Sequence, residues 1–159
     1  MPILSFLIRL SPGCWVRMER TVLTLIPRKR AISLFLQLYE ASFAQTPWYQ
    51  PYTRAETAAL LDDPAAITFL LRAGIPIGFI WSSLQPGGIM EIEPVGIVRR
   101  WQGQGYGRWF LTGQIRDWRE GGVTAVRLGV WRANEAARRL YARAGFRHTT
   151  TSFFLHRTL

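Results

Sequence analysis

The chain has 159 residues, which suits one domain, and 48% of them are apolar, enough for a packed core. This composition excludes a disordered chain, and the longest apolar run falls far short of the roughly 18 residues that a membrane span needs. The formal net charge is +10, but the arginines that supply most of it are scattered, which favours a basic surface or a phosphate-binding groove over nucleic-acid binding.

Residues 1–17 are an N-terminal extension of uncertain status, because Met18 offers a second plausible start. The predicted single domain therefore covers residues 18–159. Cys14 has no second cysteine to pair with, and the spacing of His148 and His156 is not that of zinc ligands on a helix. We expect no metal, a reducing cytoplasmic setting, and neither a membrane nor a nucleic acid as partner.

Hydrophobic periodicity and turn residues predict a mixed order of strands and helices. Three strands follow one another without helices between them, which predicts a mixed α/β sheet and excludes a doubly wound one. The predicted elements up to the middle of the chain are strand Thr21–Ile26, helix Arg30–Phe43, a short helix Thr53–Leu61 with Thr53 and Glu56 in the capping-box pattern, and strands Ile67–Leu71 and Ile77–Ser82, which form a hairpin. They continue with strand Ile89–Val98, helix Gly103–Glu120 ended by Gly121, strand Val123–Trp131, helix Asn134–Ala144 with Asn134 as N-cap, and a strand region Phe146–Leu155.

Pro94, Val95 and Gly96 lie in the middle of the third of these consecutive strands. Proline cannot donate a ladder hydrogen bond, and glycine has no side chain to pack. The pattern predicts a bulge or a splayed edge at which the backbone of a ligand can approach the strand.

A glycine-rich stretch from Gln102 to Arg108 joins this strand to the following helix. Glycines let the backbone pass close to a bulky anion, and the N–H groups of a first helical turn hold phosphate oxygens. A purely structural turn would use the same glycines. The spacing fits neither a Walker loop nor the dinucleotide fingerprint.

Two motifs together resemble a known family. Gln102-x-x-Gly105-x-Gly107 is similar to the pyrophosphate loop Q/R-x-x-G-x-G/A of the GCN5-related N-acetyltransferase (GNAT) superfamily. Residues 130–146 are similar to the family segment V-x-x-x-N-x-x-A-x-x-L-Y-x-x-x-G-F. Because both motifs occur in the family's order and at its usual separation, the chain is identified as a member.

The resemblance implies an α+β GNAT fold. Its central sheet would be mixed and mostly antiparallel, with six or seven strands splayed between the fourth and fifth, and about four helices would surround it. It also implies transfer of an acetyl group from acetyl-CoA to a primary amine by direct attack in a ternary complex. A non-catalytic acyl-CoA-binding module of the same fold is the alternative, and a homodimer is common in the family.

The resemblance assigns the site residue by residue. Tyr141 matches the general acid that protonates the leaving CoA thiolate, although a packed aromatic residue would look the same. Glu91 is the predicted general base. One alternative is that Glu91 is only an exposed polar residue of the strand. The other is that water relays the proton without a dedicated base. The residues implied in acetyl-CoA binding are Val95, Gly96, Ile97, Gln102, Gly103, Gln104, Gly105, Tyr106, Gly107, Arg108, Asn134 and Ala137.

The acceptor is less well defined. An aromatic loop with Trp48, Tyr49 and Tyr52 follows the first helix and would either line the acceptor pocket or pack in the core. Gly129 stands where family members that acetylate ribosomal proteins or protein N-termini often carry a glutamate, which argues against that acceptor class.

Overall fold

The computed structural model describes residues 4–11, 14–22, 27–60 and 67–149. Its strands form one six-stranded sheet in chain order, antiparallel at every step except β5 to β6. The strands are β1 Leu4–Ser11, β2 Cys14–Val22, β3 Ile67–Arg72, β4 Ile75–Gln85, β5 Ile89–Ile97 and β6 Ala125–Leu128. The helices are α1 Arg28–Phe43, α2 Arg54–Leu60, α3 Tyr106–Glu120 and α4 Glu135–Arg143, with a 3-10 turn at Arg99–Trp101. The predicted α+β architecture, with its mixed sheet and four helices, is confirmed for the described residues.

Several local signals are confirmed in detail. Thr53 and Glu56 form the predicted capping box: the Glu56 N–H donates to Thr53 Oγ1 at 3.1 Å, and the Thr53 N–H donates to Glu56 Oε2 at 2.7 Å. Ala73 and Gly74 make the turn of the predicted β3–β4 hairpin, both at positive φ. Gly121 ends α3, as expected for a helix stop.

The N-terminal hairpin departs from the sequence interpretation. Strand β1 pairs with β2, and β2 pairs with β3, so residues assigned to an extension contribute to the sheet. The predicted strand Thr21–Ile26 overlaps only the end of β2, and residues 23–26 lie outside the described residues. Pro12 and Gly13 interrupt the apolar pattern between β1 and β2. A start at Met18 stays a prediction.

The predicted strand Val123–Trp131 is shorter in the structure. Strand β6 stops at Leu128, whereas the sequence predicts a strand from Val123 to Trp131. Its continuation in parallel register would meet Pro94, which has no N–H to donate. Residues 146–149 form no strand, and the rest of the predicted strand region lies outside the described residues.

Both faces of the sheet are covered. Phe69 and Leu70 are adjacent in β3 and both fully buried, yet they belong to different clusters, because neighbouring side chains in a strand point to opposite faces. The α1 core comprises Ala31, Ile32, Phe35, Leu38, Tyr39, Ile67, Phe69, Phe79 and Trp81. The α3 core comprises Leu70, Ile77, Ile80, Ile92, Ile97, Tyr106, Phe110 and Leu111. Strand β5 therefore runs through the middle of a layered structure, with helices on both sides.

Candidate active site

Strand β5 contains the predicted bulge. Its register against β4 jumps from Ile80↔Val95 to Ser82↔Ile92, so Glu93 and Pro94 together oppose the single residue between them, Trp81. Two residues facing one is the definition of a β-bulge, and such a bulge bends the strand locally. The strand thus changes direction immediately before Val95.

The other edge of β5 loses its partner at the same place. Parallel pairing with β6 runs only from Ile89↔Ala125 to Ile92↔Leu128. Beyond it lies the open segment, defined here as Val95–Ile97, which within the described part of the chain pairs with β4 alone. The sheet is therefore splayed at this edge.

The alternation of backbone groups fixes which residues face the gap. The Val98 N–H donates to the Ile77 carbonyl at 2.9 Å, so Gly96, two residues earlier, also directs its backbone groups towards β4. Val95 and Ile97 then direct theirs to the open side. The Ile97 carbonyl accepts a hydrogen bond from Gln102 Nε2 at 2.7 Å, which leaves the Ile97 N–H and both groups of Val95 facing the gap.

Gly96 has a packing reason to be glycine. A Cβ atom there would lie 2.6 Å from Phe79 Cε1 and 3.0 Å from Ser42 Oγ. Its absent side chain therefore lets β5 lie close to the α1 core. The role of Gly96 in cofactor binding stays a prediction.

The glycine loop, defined as residues 102–105, connects the 3-10 turn to α3. Gly103 and Gly105 have φ values of +72° and +86°, a conformation that L side chains rarely adopt. A Cβ at either position would meet no atom within 4 Å among the described residues, so the outer side of the loop is open. Gln104 Nε2 donates to the Arg100 carbonyl at 3.0 Å and closes the loop on its inner side.

Helix α3 begins directly after this loop, with Gly105 as its N-cap. Within the described residues no side chain caps it, and the first helical bond runs from the Trp109 N–H to the Gly105 carbonyl. The N–H groups of Tyr106, Gly107 and Arg108 precede that bond, so the first turn presents donors and a partial positive charge suited to an anion. The Arg108 side chain is exposed, whereas the Tyr106 side chain is buried and can offer only its N–H.

Helix α4 carries the second motif. Asn134 is its N-cap, and the Asn134 Oδ1 accepts a hydrogen bond from the Ala137 N–H at 3.1 Å. A Cβ at Gly107 would lie 3.5 Å from Leu140 Cδ2 and 3.6 Å from Ile97 Cγ1, so α4, α3 and β5 meet closely there. Glycine at position 107 thus allows α4 to approach the open segment.

Tyr141 follows Leu140 and packs with Val95 against the α3 core. Its ring lies 5.8 Å from that of Phe146 in an edge-to-face arrangement. Burial raises the pKa of Tyr141 to about 12, because an apolar environment disfavours the phenolate. The hydroxyl is therefore neutral, and able to donate a proton, throughout the physiological range.

Two carboxylates on β5 have different surroundings. Glu91 Oε2 accepts from Arg127 Nη2 at 2.8 Å, across the parallel pair. Glu93 lies in the bulge and is exposed. The pKa of Tyr52 is raised first by burial and then by the negative charges of Glu93 and Glu56.

The aromatic loop after α1 is packed against the α1 core. The Tyr52 ring lies 4.9 Å from that of Tyr39 and 6.2 Å from that of Trp81. The Tyr49 hydroxyl donates to Glu40 Oε2 at 3.1 Å, and Trp48 is half-buried. Tyr49, Tyr52 and Trp81 form an aromatic wall on the α1 side of the bulge.

One residue that contacts both ends of the glycine loop, Arg72, was not predicted from the sequence. Arg72, at the end of β3, donates from Nε to the Tyr106 hydroxyl at 2.9 Å. The contact spans 34 residues of sequence, and no local pattern connects the two positions.

The described ranges contain neither a cluster of metal ligands nor a membrane-spanning helix. No cluster of three or more His, Cys, Asp and Glu side chains is placed to hold a metal ion there. Among the described helices, none is long and apolar enough to cross a membrane.

Comparison with known proteins finds similarity to several acetyltransferases. A mycothiol acetyltransferase from Thermomonospora curvata is 34% identical over 116 residues, which cover 70% of this chain but only 39% of the relative. The ribosomal-protein-S18-alanine N-acetyltransferase from Escherichia coli superposes with a TM-score of 0.70 at 19% identity, covering 84% of this chain and 79% of that one. An aminoglycoside N-acetyltransferase in complex with CoA superposes with a TM-score of 0.64 at 13% identity, covering 91% and 95%.

The chain spans less than half the length of the mycothiol acetyltransferase. At these identities the two solved structures establish the fold alone. The sequence profile of the Acetyltransferase (GNAT) family matches residues 32–146, which include β5, the glycine loop and the whole motif at residues 130–146. The chain therefore belongs to the Acetyltransferase (GNAT) family.

Proposed function

We propose that this protein transfers the acetyl group of acetyl-CoA to a primary amine in one ternary complex. The observation that carries the proposal is the end of β5–β6 pairing at Ile92↔Leu128, next to an uncapped helix N-terminus. An extended pantetheine arm needs backbone partners along a strand, and a diphosphate needs N–H donors. Both are available here, one directly after the other along the chain.

In this proposal the open segment binds the arm of the donor. Val95 would exchange hydrogen bonds with its amides, and one N–H from Val95 or Ile97 would point at the thioester carbonyl. A fixed N–H dipole near that oxygen stabilises the negative charge that develops as the amine attacks. The N–H groups of residues 103–108, with Arg108, would hold the diphosphate.

The chemical step forms a C–N bond and breaks the C–S bond. The amine nitrogen attacks the thioester carbonyl carbon, and the tetrahedral intermediate expels the CoA thiolate. Tyr141 would protonate that thiolate, since its raised pKa keeps the hydroxyl neutral. Holding both reactants in one complex supplies much of the rate gain through orientation.

A base must take a proton from the acceptor ammonium. Glu91 is the base that the family resemblance indicates, and its carboxylate is tied to Arg127. Glu93 is a second candidate because it is exposed and lies in the bulge opposite Trp81 of the aromatic wall. We propose that one of these two β5 carboxylates, directly or through water, accepts the proton.

The acceptor is proposed to be a small amine related to the one that mycothiol acetyltransferases use. The 34% identity of the Thermomonospora curvata protein to this chain supports that class, although the chain covers only 39% of that relative. The aromatic wall, with Glu93 next to it, suits a cationic amine that stacks on a ring. Gly129, where a glutamate would be expected for protein acceptors, argues in the same direction.

Calorimetry and a free-thiol assay test this proposal together. We expect the purified chain to bind CoA at micromolar concentration, and to release free CoA from acetyl-CoA only when an acceptor amine is present. Absence of CoA binding by folded protein would refute the proposal. Binding without release for any amine in a broad panel would favour a non-catalytic acyl-CoA-binding module.

A further inference from the structure

One arginine outside the proposed site contacts both ends of the glycine loop. Arg72 Nε donates to the Tyr106 hydroxyl at 2.9 Å, and Arg72 Cζ lies 4.4 Å from the centre of the Trp101 ring. Trp101 is the residue immediately before the loop, and Tyr106 is the residue immediately after it. A single guanidinium therefore bridges the two points at which the loop leaves and rejoins regular structure.

The contact between Arg72 and Tyr106 involves a buried side chain. Tyr106 is only 1% exposed, and a buried hydroxyl without a hydrogen-bond partner is costly, so the Arg72 bond secures its position. The Tyr106 and Trp101 rings meet edge to face, 6.0 Å apart. The planar guanidinium can stack on an indole and donate from its edge simultaneously, which the ammonium group of lysine cannot do.

The loop itself has little packing to hold its shape. Gly103 and Gly105 are surrounded by open space on the side where a Cβ would stand, and they populate left-handed backbone. Such glycines give the backbone of the loop freedom that the hydrogen bonds of the Gln102 and Gln104 side chains remove only in part. The positions of its N–H groups then depend on how firmly Trp101 and Tyr106 are fixed.

We infer that Arg72 is a positioning residue for acetyl-CoA binding, which pre-orders the glycine loop by fixing both of its ends. The inference rests on the proposed function, because it takes the loop to be the diphosphate site. Arg72 acts through Trp101 and Tyr106 and does not itself touch the donor. Loss of the contact should weaken donor binding and leave the chemical step unchanged once the donor is bound.

Three variants separate positioning from charge. Arg72→Met removes the charge and both contacts, Arg72→Lys keeps the charge, and Tyr106→Phe removes only the hydroxyl. We expect the Kd for CoA and the KM for acetyl-CoA to rise about tenfold in Arg72→Met and severalfold in the other two, with kcat at saturating donor within twofold. Arg116→Met, on the exposed side of α3, is the matched control for loss of one positive charge, and its Kd should stay unchanged.

Amide hydrogen exchange gives a second readout. Exchange at residues 102–108 should speed up in Tyr106→Phe relative to the wild type, while β3 and β4 stay protected. An unchanged Kd for CoA in the folded Tyr106→Phe and Arg72→Lys variants would overturn the inference, even if Arg72→Met failed to fold. The proposed function fails separately, when the wild-type chain itself binds no CoA.

Discussion

The two halves of β5 differ in their partners more than in their composition. Ile89–Ile92 pairs with strands on both sides, and Glu91 in this half is engaged with Arg127 across the sheet. Within the described ranges Val95–Ile97 pairs on one side only, and it adjoins the glycine loop. A strand thus changes from structural support to a candidate binding edge within three residues, through the bulge at Glu93 and Pro94.

The largest effect is expected at Tyr141, which shares a cluster with the open half. Tyr141→Phe should lower kcat by roughly 10²- to 10³-fold, because the leaving thiolate loses its proton donor. The KM for acetyl-CoA should stay nearly unchanged, since the ring that packs against the α3 core is retained. Steady-state kinetics with saturating acceptor measure both constants.

The pH dependence adds a check on this role. Because burial raises the pKa of Tyr141 to about 12, the hydroxyl keeps its proton above the pH at which a free tyrosine would ionise. Wild-type turnover should therefore show no loss attributable to this residue up to about pH 10. Unchanged turnover in Tyr141→Phe would refute the assignment.

An intermediate effect should distinguish the carboxylate of the paired half from that of the bulge. Glu93→Gln should lower kcat about 100-fold, and Glu91→Gln by less than about tenfold, because Glu91 is occupied by its ion pair. Kinetics of both variants across pH provide the measurement. A larger loss of kcat in Glu91→Gln than in Glu93→Gln would identify Glu91 as the base, and the two halves of β5 would then not differ in the way described. Equal small effects would indicate water-relayed deprotonation.

The smallest effect concerns stability. Gly96→Ala should lower the free energy of unfolding by about 1–3 kcal/mol, because the new Cβ overlaps the Phe79 ring, which is fully buried. Gly129→Ala is the matched control: its Cβ would meet nothing within 4 Å among the described residues, so a change within about 0.5 kcal/mol is expected. Urea denaturation measures both. Equal stability of the two variants would show that β5 can move away from the α1 core.

Local signals sufficed for the parts of the fold that short sequence stretches determine. The Asn134 cap, the capping box at Thr53 and the bulge around Pro94 each depend on residues a few positions apart, and each is confirmed. The glycine loop could be predicted because the positive φ values at positions 103 and 105 favour glycine, so the loop is visible in the sequence as closely spaced glycines.

Features that depend on distant partners were harder to predict. The end of β6 depends on the residues of β5 that it would pair with. Val130 and Trp131 are suitable strand residues, but in the continued parallel register Val130 would lie opposite Pro94, which has no N–H to donate. The contact of Arg72 with Tyr106 joins two strand–helix units, and an arginine at the end of a hairpin strand usually indicates only a solvated surface. The β1–β2 hairpin was not predicted, because a short apolar run that ends at Pro12-Gly13 was interpreted as part of an N-terminal extension.

The gap beside β5 also bears on solubility. An unpaired strand edge is a template for pairing with another chain, and proteins limit this hazard with proline or by shortening the edge. Here Pro94 withholds a donor at one end of the gap, and Gln102 occupies the Ile97 carbonyl at the other. Among the described residues only a few backbone groups remain available between them, so this edge offers a short template for pairing with another chain.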